Sequence, residues 1–111
     1  MRFPLVIAAL CLMCSSLLPG QDAAANGKKL FSKYGCYECH GTQGQGTTAG
    51  PRLAPKPLPL AALVAYVRQP RGQMPPYTAK VVSDADIAEI RAYLASLPEP
   101  PAVKNIPLLN Q

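Results

Sequence analysis

The sequence predicts an all-α domain in which three main helices and irregular loops enclose something the polypeptide itself does not supply. Segments 60–69 and 83–97 carry apolar residues at helical spacing, and 26–34 has helix-compatible composition. Residues 41–59 are rich in Gly, Thr and Pro with no period, and a loop this long in a compact domain usually wraps around something. The stretch CYECH at 36–40 joins the single histidine of the chain, His40, to two of its four cysteines, Cys36 and Cys39.

The N-terminus reads as an address. Arg2 precedes an apolar run from Phe3 to Leu18, closed by Pro19-Gly20 and followed by the small residues Ala23, Ala24 and Ala25. This is the layout of a secretory signal peptide, residues 1–25, with an A-x-A site placing cleavage after Ala25. The run spans 16 positions, against the roughly 20 needed to cross a bilayer. A membrane contact is therefore expected only if this segment stays uncleaved. Leu10 and Met13, which precede Cys11 and Cys14, are not the small residues that lipid attachment favours.

In NGKKLFSKY, Asn26 is the expected cap, Gly27, Leu30 and Phe31 the packing face, and Gly35 the stop. After the long loop, Leu60, Leu63, Val64 and Val67 fall on one helical face, and Pro70 ends that helix at Gln69. RGQMPPYTAK follows, held extended or turned by Pro75 and Pro76. Ser83, with Asp84 and Asp86 in the first turn, opens a last helix whose stripe is Ile87, Ile90, Leu94 and Leu97 and whose stop is Pro98. Residues 99–111 form a Pro-rich tail, so the domain is expected over 26–98.

Without residues 1–25 the chain has 111 − 25 = 86 residues, a size at which apolar burial alone gives marginal stability. Small exported domains add disulfides, a metal or a cofactor. Two cysteines outside the leader allow at most one internal disulfide, which points to a cofactor. Ten Lys and Arg against five acids give this part a charge of 10 − 5 = +5. The basic residues are dispersed, which argues against nucleic acid and leaves either a solvated surface or attraction to an acidic partner protein.

C-x-x-C has three readings. A dithiol redox pair normally sits in a βαβ context, which is not visible here. A zinc site needs two further ligands, and no His or Cys follows His40. Covalent haem attachment by C-x-x-C-H uses both thiols on the vinyl groups and the adjacent histidine on iron, because residues three apart share one side of a helical turn. A second axial position decides between electron transfer and ligand chemistry. Met74 is the single methionine outside the leader, and it lies in the stiff MPP segment rather than on a helical face where a gap-filling core Met would sit.

The order short helix, CxxCH, Gly/Pro loop, apolar helix, MPP loop and C-terminal helix ending in SLP resembles the class I, single-haem bacterial c-type cytochromes over residues 26–98. The resemblance implies a small cytochrome c fold around one covalently attached haem c. It makes Cys36 and Cys39 the thioether sites, His40 the proximal ligand, Met74 the distal ligand, and Pro51 the residue whose carbonyl accepts from the proximal imidazole. It also packs Gly27 and Phe31 against Tyr93 and Leu94. The Pro-rich tail has no counterpart in the common core of that family.

The function implied is a periplasmic electron carrier rather than an enzyme. It would pass single electrons from a dehydrogenase to a later acceptor, either free or as a dehydrogenase subunit. The rival is a haem enzyme or gas sensor with an exchangeable sixth ligand. An acidic-surfaced redox partner would suit the basic charge, and Lys28, Lys29, Lys33, Arg71 and Lys80 are nearest the CYECH and Met74 segments in sequence.

Overall fold

A computed structural model describes residues 19–109. These residues hold four α-helices, α1 (Pro19–Lys33), α2 (Cys36–His40), α3 (Leu60–Arg68) and α4 (Asp84–Ser96), followed by two single-turn 3-10 helices, Val103–Asn105 and Pro107–Leu109. No strand occurs among them. The apolar run Phe3–Leu18 lies outside the described residues. Among the described residues no helix is long and apolar enough to cross a membrane.

The first helix begins earlier than its sequence signals indicate. Asn26 does not cap it but sits mid-helix, and its Nδ2 donates to the Glu89 carboxylate of α4. The Ala25–Asn26 bond is therefore inside α1. Ala23, Ala24 and Ala25 fit a cleavage region and are also strong helix formers, so composition supports both readings. Gly35, with φ 74°, follows α1 and leads directly into α2.

Helices α1 and α4 form the packed heart of the fold. Gly27 is buried where a Cβ would stand 1.9 Å from the Glu89 carbonyl oxygen, so only a hydrogen lets the two backbones meet this closely. One turn on, Phe31 meets Tyr93 with ring centroids 5.7 Å apart and planes inclined by 59°. Ala54, Ile90 and Leu94 complete this cluster, joining the long loop to the two helices. Tyr34 Oη donates to Asp86 Oδ2 at 2.8 Å, and Tyr93 Oη donates to the Thr42 carbonyl at 2.9 Å. These two bonds fix the ends of the CYECH region against α4.

The last helix follows its sequence signals closely. Ser83 Oγ accepts from Asp86 N at 3.0 Å, the helix ends at Ser96, and Ile87, Ile90 and Leu94 are buried. A second cluster of Leu63, Val82 and Ile87 joins α3 to α4. Of the expected α3 face, Leu63 is buried, Val64 and Val67 are half-buried, and Leu60 is 41% exposed. Beyond α4, Glu99 pairs with Lys56 at 2.8 Å on the open surface, a contact worth little. Val103, Leu108 and Leu109 stay exposed.

Candidate functional site

A cavity of about 700 Å³ lies between the elements, within the roughly 300–1,000 Å³ typical of cofactor and ligand sites. Its wall draws on the whole fold: Cys36, Cys39 and His40 from α2, Pro51 from the long loop, Leu63 from α3, Met74, and Leu94 from α4. All five residues singled out by the sequence, Cys36, Cys39, His40, Pro51 and Met74, meet at this one cavity.

The single turn α2 sets the order of the first three. Cys36 and Cys39 are both free thiols, Cys36 half-buried and Cys39 exposed. Burial pushes the Cys36 thiol up to about 11. A thiol–disulfide oxidoreductase needs an attacking thiolate near ambient pH, so Cys36 is ill suited to that role. Among the described residues no group of three or more His, Cys, Asp or Glu side chains is arranged to hold a metal ion. The two thiols and the imidazole therefore do not form a zinc-type cluster.

His40 is buried, and its Nδ1 lies 2.7 Å from the Pro51 carbonyl oxygen. A carbonyl only accepts, so Nδ1 carries a proton, and in the neutral form of the ring the lone pair is on Nε2. Gly50 makes this contact geometrically possible. A Cβ there would be 2.9 Å from the Cys39 carbonyl oxygen and 3.0 Å from His40 Nδ1, so a larger residue would push the loop away. Thr47 Oγ1 also donates to the Cys39 carbonyl, at 2.5 Å, tying the loop to the end of α2.

Met74 reaches the cavity from an extended segment and is half-buried. Residues 75 and 76, both proline, are exposed. Tyr77 then anchors the strand of chain: its N–H donates to the Val67 carbonyl at 3.0 Å, and its Oη donates to the Tyr34 carbonyl at 2.9 Å.

The wall chemistry fits haem. Most of the lining is apolar, with an imidazole, a thioether and two thiols among it. The charged residues in the wall are Arg52 and Arg71, and no acid lines it. That balance suits a largely apolar group with carboxylate substituents. Of the five cations nearest in sequence, Arg71 lines the cavity and Lys28, Lys29, Lys33 and Lys80 do not. Lys33 approaches through Tyr34, with Nζ 5.1 Å from the Tyr34 ring centroid. Arg52, Gly50 and Tyr77 have no local sequence pattern that marks them, because their roles come from folding the loops onto α2 and α3.

Comparison with known proteins agrees with this chemistry. The family described as cytochrome C oxidase, cbb3-type, subunit III matches residues 22–94, more than half of the chain. The 4-cresol dehydrogenase (hydroxylating) cytochrome c subunit of Pseudomonas putida is 35% identical over 77 residues. The aligned region covers 69% of this chain and 65% of that relative. No solved structure matches significantly.

Proposed function

Because the chain belongs to the c-type cytochrome family that matches residues 22–94, we propose that it is an exported single-haem electron carrier serving a dehydrogenase. The observation that carries this reading is the meeting of Cys36, Cys39, His40 and Met74 at one apolar cavity, with His40 Nδ1 already committed to Pro51. Haem c held there supplies one-electron Fe(III)/Fe(II) chemistry. Cys36 and Cys39 would hold the group by two thioether links, which would keep it on an exported protein. His40 offers Nε2 to the metal, and the hydrogen bond from Nδ1 orients the ring and raises its basicity. Met74, which lines the same cavity, would offer its thioether as a second ligand to the metal, a ligand set suited to electron transfer.

The largely aliphatic and aromatic wall would keep the dielectric low around a bound group. Arg52 and Arg71, the exposed cations of the wall, would be the residues to pair with carboxylates of the group. Residues 1–25 act as the export signal. Cleavage after Ala25 would leave Gly27 and Phe31, the residues of α1 that pack on α4, in the mature chain. Residues 26–98 are then the cytochrome domain and 99–111 an appended tail, with the periplasm as the destination. The partner is a redox dehydrogenase with acidic groups near its docking surface, in line with the similarity to a dehydrogenase cytochrome subunit.

The test is the optical spectrum of the purified oxidised and reduced protein, with iron counted per chain and haem followed through a denaturing gel. One iron, a Soret band that stays with the denatured chain, and a weak near-infrared sulfur-to-iron band are expected. A high-spin spectrum would instead mean an open sixth position and favour the ligand-binding alternative. Absence of any Soret band would overturn haem binding altogether.

A further inference from the structure

We propose that Arg68 and Tyr77 are positioning residues that hold Met74 in place, and that they set how readily its thioether yields the sixth axial position to an outside ligand. This rests on the reading of Met74 as that ligand.

The segment around Met74 has little to hold it upstream. Arg71, Gly72 and Gln73 are exposed, and Gly72, at φ 70°, has no neighbour within 4 Å of where a Cβ would stand. The bond nearest on that side, from Tyr66 Oη to the Arg71 carbonyl, is 3.5 Å long, at the limit of a hydrogen bond. Downstream the situation is reversed. Tyr77 N–H donates to the Val67 carbonyl at 3.0 Å, Arg68 Nη1 donates to the Tyr77 carbonyl at 3.0 Å, and Tyr77 Oη donates to the Tyr34 carbonyl at 2.9 Å. Every polar group of Tyr77 is thus bonded, and its ring packs beside the Leu63, Val82 and Ile87 cluster.

Arg68 joins three elements. It stands at the last residue of α3, bonds the Tyr77 carbonyl through Nη1, and pairs through Nη2 with Asp84 at the first residue of α4. Its side chain is 20% exposed, so this guanidinium is better shielded than a typical surface ion pair. The anchor is then passed to the thioether through two residues whose φ is fixed near −65° by their rings, Pro75 and Pro76. A stiff connector makes the position of Met74 follow the position of Tyr77. Without the anchor, the segment has its own prolines but only the long Tyr66–Arg71 bond to register it against α3.

A merely structural Arg68 would lower global stability without changing competition at the metal. The experiment uses the full-length, haem-loaded protein and imidazole as the competing ligand. Imidazole affinity and the sulfur-to-iron band are read beside the urea midpoint for Arg68→Met, which keeps the apolar stem, and Tyr77→Phe, which keeps the ring. Arg68→Met is expected to bind imidazole roughly tenfold more tightly, the factor that 1.4 kcal/mol represents. Tyr77→Phe should gain a few-fold, and Arg68→Lys should recover part of the change. Met74→Ala serves as the reference, with the band gone.

If both variants lose stability but bind imidazole as the unaltered protein does, while Met74→Ala loses the band, the clamp is wrong and the Met74 reading stands. If Met74→Ala keeps the band, the Met74 reading fails and the clamp fails with it.

Discussion

His40 Nδ1 lies 2.7 Å from the carbonyl oxygen of Pro51, eleven residues away along the chain. In the neutral ring that contact leaves Nε2 with the free lone pair, and Gly50 is the residue that allows the carbonyl to come so near. Replacing Gly50 with Ala would force the loop off the imidazole. The expected outcome is a less basic axial nitrogen, weaker support of Fe(III), and a midpoint potential higher than that of the unaltered protein, measured by redox titration. An unchanged potential would mean that the loop gives way elsewhere and the His40–Pro51 bond survives.

Met74→Ala should leave haem attached, because the thiols are untouched, but should produce a site that binds small ligands and has a lower potential. An unchanged spectrum and potential would place another side chain on the metal. Cys36→Ala and Cys39→Ala should act earlier, reducing the yield of haem-loaded protein during maturation. A fully loaded double variant in normal yield would contradict the thioether assignment.

The local and the distant parts of this structure were not equally legible. Ser83 was readable as a cap because a cap is a contact over three residues, and its Oγ does meet Asp86 N. CYECH was readable as a local unit because its residues fall within one turn, and α2 does span Cys36–His40. The start of α1 was not, since Ala23 to Ala25 satisfy both a cleavage site and a helix, and Asn26 spends its side chain on Glu89 instead of a cap. The apolar stripe of α3 identified a face without saying how far along it the neighbours extend, hence the exposed Leu60. Arg68 counted only as one positive charge until the fold brought Tyr77 and Asp84 to it. Such roles depend on which loops meet, and a single sequence carries no local trace of them.

Gly27→Ala tests the closest backbone approach in the fold. Its Cβ would meet the Glu89 carbonyl oxygen at 1.9 Å, and backbone cannot swing aside as a side chain can. Helices α1 and α4 would have to separate, loosening the Phe31–Tyr93 contact. A loss of at least the ~1–3 kcal/mol typical of overpacking is expected, read from urea denaturation. A neutral change would mean that α1 slides along α4 without cost.

Three tyrosines give the protein an alkaline limit. The hydrogen bond to Asp86 and then burial raise Tyr34, and burial raises Tyr77 and Tyr93. Each folded-state value lies above the ordinary tyrosine value of about 10, so the native state keeps these protons longer than the unfolded chain. Their contribution is full below about pH 10 and is lost as pH rises through the folded-state values. The urea midpoint should therefore fall on that alkaline side, and Tyr34→Phe should fall less steeply. Equal slopes for the two proteins would remove Tyr34 from the account.

The last prediction concerns the partner. Transient electron-transfer contacts are small, often below about 1,200 Å² in total, so deep apolar burial is not available to them. Steering by charge raises the association rate instead, and it is screened over roughly 8 Å at physiological salt. The chain carries a net charge of +5, with Lys33 and Lys80 exposed on α1 and after the Met74 segment. Neither lines the cavity, so each can be reversed without touching the wall. With the native redox partner, the bimolecular electron-transfer rate should fall steeply as salt rises, and Lys33→Glu or Lys80→Glu should slow it further at low salt. The midpoint potential should hardly move, because exposed charges couple weakly to a buried metal. A rate that ignores both salt and charge reversal would point to a permanently docked subunit, in which the basic surface only keeps the protein soluble.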